Sequence, residues 1–284
     1  MIAALCVVLA LSAGCSALRF GYNQAPDLGY WWLDSYIDFD DAQTLKVRNG
    51  LTGWFAWHRS TQLPDYAQLL VRAQAEALAD TTPARVCEWW ATLSVRLDSA
   101  FERAVPVGAD LMLSIGPKQV QHMERRYAKA NGEFRSEFLQ GDPAKRRKAS
   151  VDRAIERAEL LYGTLTDGQR EQVARMVGGS PFDADLWFSE RKRRQQDALQ
   201  MLLRLNAEGA GRDKAEAALR AYIERWRRSP RDEYRRYAEG LADFNCSFAA
   251  SLHNSTTAAQ RQTAVQKLKG WEGDARALAA EGGR

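Results

Sequence analysis

The chain has 284 residues, 45% of them hydrophobic and 27% charged, enough for one large or two smaller domains with true cores. Against 36 Asp and Glu stand 40 Lys and Arg, a net charge of only +4. That is far from the concentrated basic balance of a nucleic-acid protein, so no nucleic-acid partner is expected.

Residues 2–13, IAALCVVLALSA, carry no charge, and the first charged residue is Arg19. The run is too short to span a bilayer, which takes roughly 20 apolar residues. Leu11-Ser12-Ala13-Gly14-Cys15 resembles a bacterial lipoprotein export signal, in which small residues precede a cysteine that is lipidated on its thiol. The resemblance implies a signal peptide over 1–14, acylation (a palmitate-type anchor) at Cys15, and an anchor and tether over 15–25. By the same resemblance, Ser16 after the cysteine implies the outer membrane, facing the periplasm. No Lys or Arg precedes the apolar run, which points to a start codon further upstream. Two or more acyl chains would hold such a protein on a membrane, where one gives only marginal binding.

Beyond the signal, apolar spacing is helical almost everywhere and no run alternates with period two. The expected fold is all-α, about ten helices in antiparallel hairpins with no sheet. The first mature stretch gathers Tyr30, Trp31, Trp32, Tyr36, Phe39, Trp54, Phe55 and Trp57. Core packing is the expectation for such aromatics, with Trp31 and Trp32 at a membrane interface as the alternative. Three stripes at helical spacing follow: Cys87, Trp90, Ser94, Leu97, Phe101; Val120, Met123, Tyr127, Phe134, Phe138; and Tyr234, Tyr237, Leu241, Phe244, Phe248, Leu252. The eight prolines mostly stand where helices can begin. Gly141-Asp142-Pro143 suggests a soft boundary between a helical region over 26–141 and another over 142–284, unless the two are one continuous domain.

One local pattern repeats: a capping-type residue followed three positions later by Gln. Its copies are Asp40/Gln43, Gly116/Gln119, Thr166/Gln169 and Thr257/Gln260. The chemistry is a capping box, in which the cap side chain accepts an orphan N–H while Gln reaches back to the cap's own N–H. Gly116 can supply only the second half. Four independent helix starts are the simpler explanation, since capping boxes are common wherever helices begin.

Leu165-Thr166-x-x-Gln169 also resembles the LTxxQ motif of the periplasmic stress chaperones of the Spy and CpxP type, which are all-helical and exported. A wider set of stretches resembles an uncharacterised family of proteobacterial lipoproteins. It comprises Gly21-Tyr22-Asn23-Gln24, Tyr30-Trp31-Trp32-Leu33-Asp34, Ala56-Trp57-His58-Arg59, Glu124-Arg125-Arg126-Tyr127, Ser180-Pro181-Phe182-Asp183, Asn245-Cys246 and Leu252-His253-Asn254-Ser255-Thr256. That resemblance implies an outer-membrane or periplasmic setting and brings no functional residues.

Chemistry-bearing constellations are sparse. His58, His122 and His253 lack metal-ligand spacing, and no nucleophile elbow, phosphate loop or dinucleotide fingerprint occurs. Asp34, Asp38, Asp40 and Asp41 cluster, but serve best as a helix cap and a negative helix N-terminus. Neither a metal nor a cofactor is expected, nor an enzyme. Three basic runs, 145–148, 191–194 and Arg225 to Arg236, read as solvated surface or as a cationic face for anionic lipid or acidic chains. In a lipidated protein, Cys87 and Cys246 are the cysteines left to the folded body. An oxidising compartment favours a bridge between them over two small buried hydrophobes, and so long a loop would contribute roughly 4 to 5 kcal/mol.

The expected function is a lipid-anchored envelope protein, most simply a non-enzymatic binding or chaperone-like one. Its partners would be unfolded client chains, an envelope protein or anionic lipid, besides the membrane itself. An assembly protein docking one envelope partner is the alternative, and an enzyme with an unrecognised site the third.

Overall fold

The structure, a computed structural model, describes residues 17–139 and 141–282. Cys15 and the signal segment lie outside the described residues. Within them every regular element is helical and no strand occurs. The helices are α1 (Ala17–Ile37), α2 (Asp41–Trp57), α3 (Leu63–Glu76), α4 (Pro83–Met112), α5 (Pro117–Phe134), α6 (Pro143–Tyr162), α7 (Asp167–Gly178), α8 (Ala184–Ala207), α9 (Arg212–Arg227), α10 (Asp232–Asn254) and α11 (Ala258–Glu281). A π turn, His58–Gln62, joins α2 to α3, so the two form one continuous helix and the described chain has ten continuous helices.

Local chemistry explains most starts. Thr82, Asp142 and Asp183 accept backbone N–H groups at the heads of α4, α6 and α8, and Pro83, Pro117 and Pro143 occupy first-turn positions where no N–H is needed. Two prolines depart from the rule, Pro26 and Pro106, which lie inside α1 and α4. The expected tether is a further correction, because from Ala17 onward it is already α1. Packing accounts for this: the Tyr22 hydroxyl lies 2.8 Å from His58 Nδ1, its ring meets Phe55 edge-on, and Asn23 Oδ1 accepts from Arg59 at 2.9 Å.

The helices assemble as two modules of the same design. In the first, the hairpins α1/α2 and α4/α5 interlock, with α1 on α5 and α2 on α4. In the second, α6/α7 and α10/α11 do likewise, α6 on α11 and α7 on α10. Each module has its own core. Ile37, Ala109, Met112, Ile115, Val120 and Met123 fill the first, extended by Met201, Leu202 and Leu205 of α8; Ala158, Leu165, Val173 and Leu252 fill the second. The modules meet where α3 lies along α11 and where α9 and α10 pack on α4. Cys87 of α4 is disulfide-bonded to Cys246 of α10, with Cα atoms 5.5 Å apart. Along α4 the stripe read at helical spacing divides: Cys87 is bonded, whereas Trp90 and Leu97 are exposed, and the buried positions are Val105, Ala109 and Met112.

Candidate functional site

All four Gln residues of the repeated pattern cap their helices, and they meet in pairs. Gln43 Oε1 accepts the Asp40 N–H at 3.1 Å, and Gln119 Oε1 accepts the Gly116 N–H at 3.0 Å. The two amides then bond reciprocally, Gln43 Nε2 to Gln119 Oε1 at 3.1 Å and Gln119 Nε2 to Gln43 Oε1 at 2.6 Å. Each remaining N–H crosses to the other loop, Gln43 to Ser114 O at 2.8 Å and Gln119 to Asp38 O at 2.9 Å. In the second module Gln169 and Gln260 repeat every bond. Their Oε1 atoms accept from Thr166 and Thr257 N–H, their amides pair at 2.8 and 2.9 Å, and their Nε2 atoms reach Ser255 O and Thr164 O. A primary amide has two donors and two acceptor lone pairs, so these four side chains are fully satisfied. The arrangement is a neutral clasp between two loops. It holds architecture and carries no ionisable group for proton transfer.

The histidines stay apart. Burial pushes His58 below its ordinary value of 6.5, and its ring stacks on Trp54 at 4.9 Å. Its partner Tyr22 is pushed up to about 12, chiefly by burial, with Arg59 opposing. His253 sits 2.8 Å from Ala79 O through Nε2 and 2.8 Å from the Tyr162 hydroxyl through Nδ1. A carbonyl only accepts, so Nε2 carries the proton and donates. Nε2 of His122 is 3.2 Å from Ser35 O. Among the described residues no group of three or more metal-type ligands gathers. The acidic cluster is consumed by the α1–α2 turn, with Asp34 accepting the Phe39 N–H, Asp38 adopting φ 62° and Asp40 capping α2.

Two of the basic runs, expected as solvated surface or a cationic face, turn several of their arginines inward, while Lys192, Arg227, Arg228 and Arg236 stay exposed. Arg193 and Arg194 both donate to Glu190 Oε1, a side chain only 1% exposed. Arg231 approaches the other oxygen at 3.8 Å and bonds Ser189 at 2.8 Å. Arg225 forks onto Asp197 at 2.8 and 2.9 Å. Burial raises the Asp197 carboxyl, but hydrogen bonds and charge from Arg225 and Arg193 outweigh it and hold the group below its usual range. Buried charges demand this pairing, since an uncompensated one is strongly destabilising. Glu190 escaped notice in the sequence because it stands beside a run of cations, although Arg at its i+3 and i+4 positions was a readable cue. Run 145–148 remains on the surface, with Lys148 paired to Asp152 at 2.7 Å.

An open groove of about 850 Å³ runs between the end of α2, α4 and α9. Trp57, Phe101, Pro106 and Ile223 provide its apolar lining, and Asp98, Glu102, Arg103, Arg220, Glu224 and Arg227 its charged lining. The charges tie the walls together, Arg220 to Glu102 at 2.7 Å and Arg227 to Asp98 at 2.7 Å, and Arg103 lies over the Trp57 ring at 5.9 Å. Nothing in the sequence marked this groove, since its lining comes from three helices far apart along the chain. Two expected core aromatics also prove exposed: Trp31 by 59% and Trp32 by 62%.

No curated protein matches the chain, and no solved structure does. A family of unknown function, DUF6279, matches residues 35–241, more than half of the chain. The all-helical chain with its paired glutamine clasps therefore belongs to the DUF6279 family.

Proposed function

We propose that the protein is a non-enzymatic binding protein of the cell envelope, anchored by lipid at Cys15 in the outer membrane and facing the periplasm, and that it holds polypeptide segments in the groove between α4 and α9. The groove carries this reading. An apolar floor flanked by alternating charges suits a chain segment that buries a few apolar side chains while its polar groups meet a charged rim. The reading of Leu11 to Cys15 as a lipoprotein signal supports the anchor.

Aggregation of a reduced, unfolded client at low salt tests the binding. The wild-type protein is expected to suppress turbidity, and Ile223→Glu, which puts a carboxylate into the apolar floor, is expected to lose most of that suppression. No suppression by the wild type, or equal suppression by the variant, overturns the proposal. Crosslinking in intact cells from the same position separates a broad client range from a single dominant envelope partner, the outcome for an assembly protein.

A further inference from the structure

We infer that α1 lies flat along a lipid bilayer, with Phe20, Leu28, Trp31 and Trp32 seated among the headgroups; the inference rests on the lipid anchor proposed above. Its first support is a reversal of polarity. The exposed positions of α1 are Ala17, Leu18, Phe20, Asn23, Gln24, Leu28, Trp31, Trp32 and Ser35, and none is charged. A helix side that faces water normally carries the charges. The charged residues of α1 are instead tied to other parts of the chain, Asp27 with its carboxylate still half exposed. Arg19 bonds Glu281, Asp27 pairs with Arg48 at 2.7 Å, and Asp34 accepts the Phe39 N–H at 2.9 Å.

The second support is geometry. At about 100° per residue, Phe20, Leu28, Trp31 and Trp32 fall within an arc of roughly 120°, which Gln24 and Ser35 share. Phe20 is 67% exposed and Leu28 52%. From Phe20 to Trp32 the stripe extends about 18 Å along the helix axis. Indole rings are the side chains that favour the boundary between headgroups and acyl chains. No helix among the described residues is long and apolar enough to cross a membrane, so a lying orientation is the one this stripe fits.

The third support is where the chain leads. Cys15 stands two residues before Ala17, the first residue of α1. Acyl chains on Cys15 would hold the head of this helix at the bilayer surface, and a second, weaker contact beside such an anchor adds strongly to binding because it is intramolecular.

The test uses the mature protein extracted from membranes, with mass spectrometry of its N-terminus, then reconstitution into phosphatidylethanolamine and phosphatidylglycerol vesicles whose acyl chains are brominated near the headgroup. Trp31 and Trp32 are two of nine tryptophans, so bromine is expected to quench about a fifth of the emission if these rings sit at the interface. The double variant Trp31→Phe/Trp32→Phe should lose that quenching while keeping its far-ultraviolet dichroism, because both side chains are exposed. Acyl chains on Cys15 without any difference in quenching overturn the inference and leave the anchor standing. Equal emission in brominated and plain vesicles, with changes that instead follow protein concentration, assigns the stripe to a second copy of the chain and overturns the inference too. An unacylated Cys15 overturns both.

Discussion

The clasping glutamines show how much one side chain can hold when all its hydrogen bonds are made. Gln260 accepts the Thr257 N–H, exchanges two bonds with Gln169 and donates to Thr164 O, all at a site only 8% exposed. Gln260→Ala is expected to destabilise by about 2 to 4 kcal/mol, because it strands several buried polar groups at once. The double variant Gln169→Ala/Gln260→Ala should cost less than the sum of the singles by about 1 kcal/mol, the coupling typical of residues in one network. Urea unfolding of the four proteins measures this, and strict additivity would refute the clasp. The capping role of each Gln was legible from three-residue spacing. Pairing was not, because the partners are 76 and 91 residues apart and no local rule selects one distant cap over another. Trp31 and Glu190 teach the same lesson in opposite directions: a tryptophan expected inside is outside, and a carboxylate among cations is buried.

Among the elements, α2 carries a direct test of how the first hairpins interlock. A Cβ on Gly50 would stand 2.5 Å from Val107 Cγ1 of α4, whereas one on Gly53 meets nothing within 4 Å. Gly53→Ala is expected to stabilise by about 0.5 to 1 kcal/mol through helix propensity alone. Gly50→Ala gains the same propensity but must displace a stiff β-branched side chain, at an overpacking cost of about 1 to 3 kcal/mol, and should be destabilising on balance. Thermal unfolding of both variants decides it, and a shared sign would mean that α2 and α4 do not approach as described. Caps and prolines made most helix starts readable, since they act within one turn. The beginning of α1 was not readable, because Tyr22 and Asn23 are held by His58 and Arg59, side chains of the π turn that follows α2.

At the scale of the molecule, the two modules are tied by the Cys87–Cys246 bond across a separation of 159 residues. Chain-entropy arguments assign a loop of that length about 4 to 5 kcal/mol, an upper value for most bridges. Cys87→Ala/Cys246→Ala should therefore shift the urea midpoint downward, reductant should bring the wild type to the same midpoint, and the variant should not respond. Thiol labelling of the denatured, unreduced wild type should find neither cysteine reactive. Two reactive thiols would remove the bridge. Determined by sequence alone were the all-helical class, the capping boxes, the helical placement of both cysteines and the resemblance of the N-terminus to a lipoprotein signal, because each rests on periodicity or on neighbours within a few residues. Only the tertiary structure decided which caps clasp, which arginines turn inward, that α2, α4 and α9 leave a groove, and that the tryptophans of α1 face outward. Those outcomes depend on which helix covers which face, a choice made by packing between segments scores of residues apart.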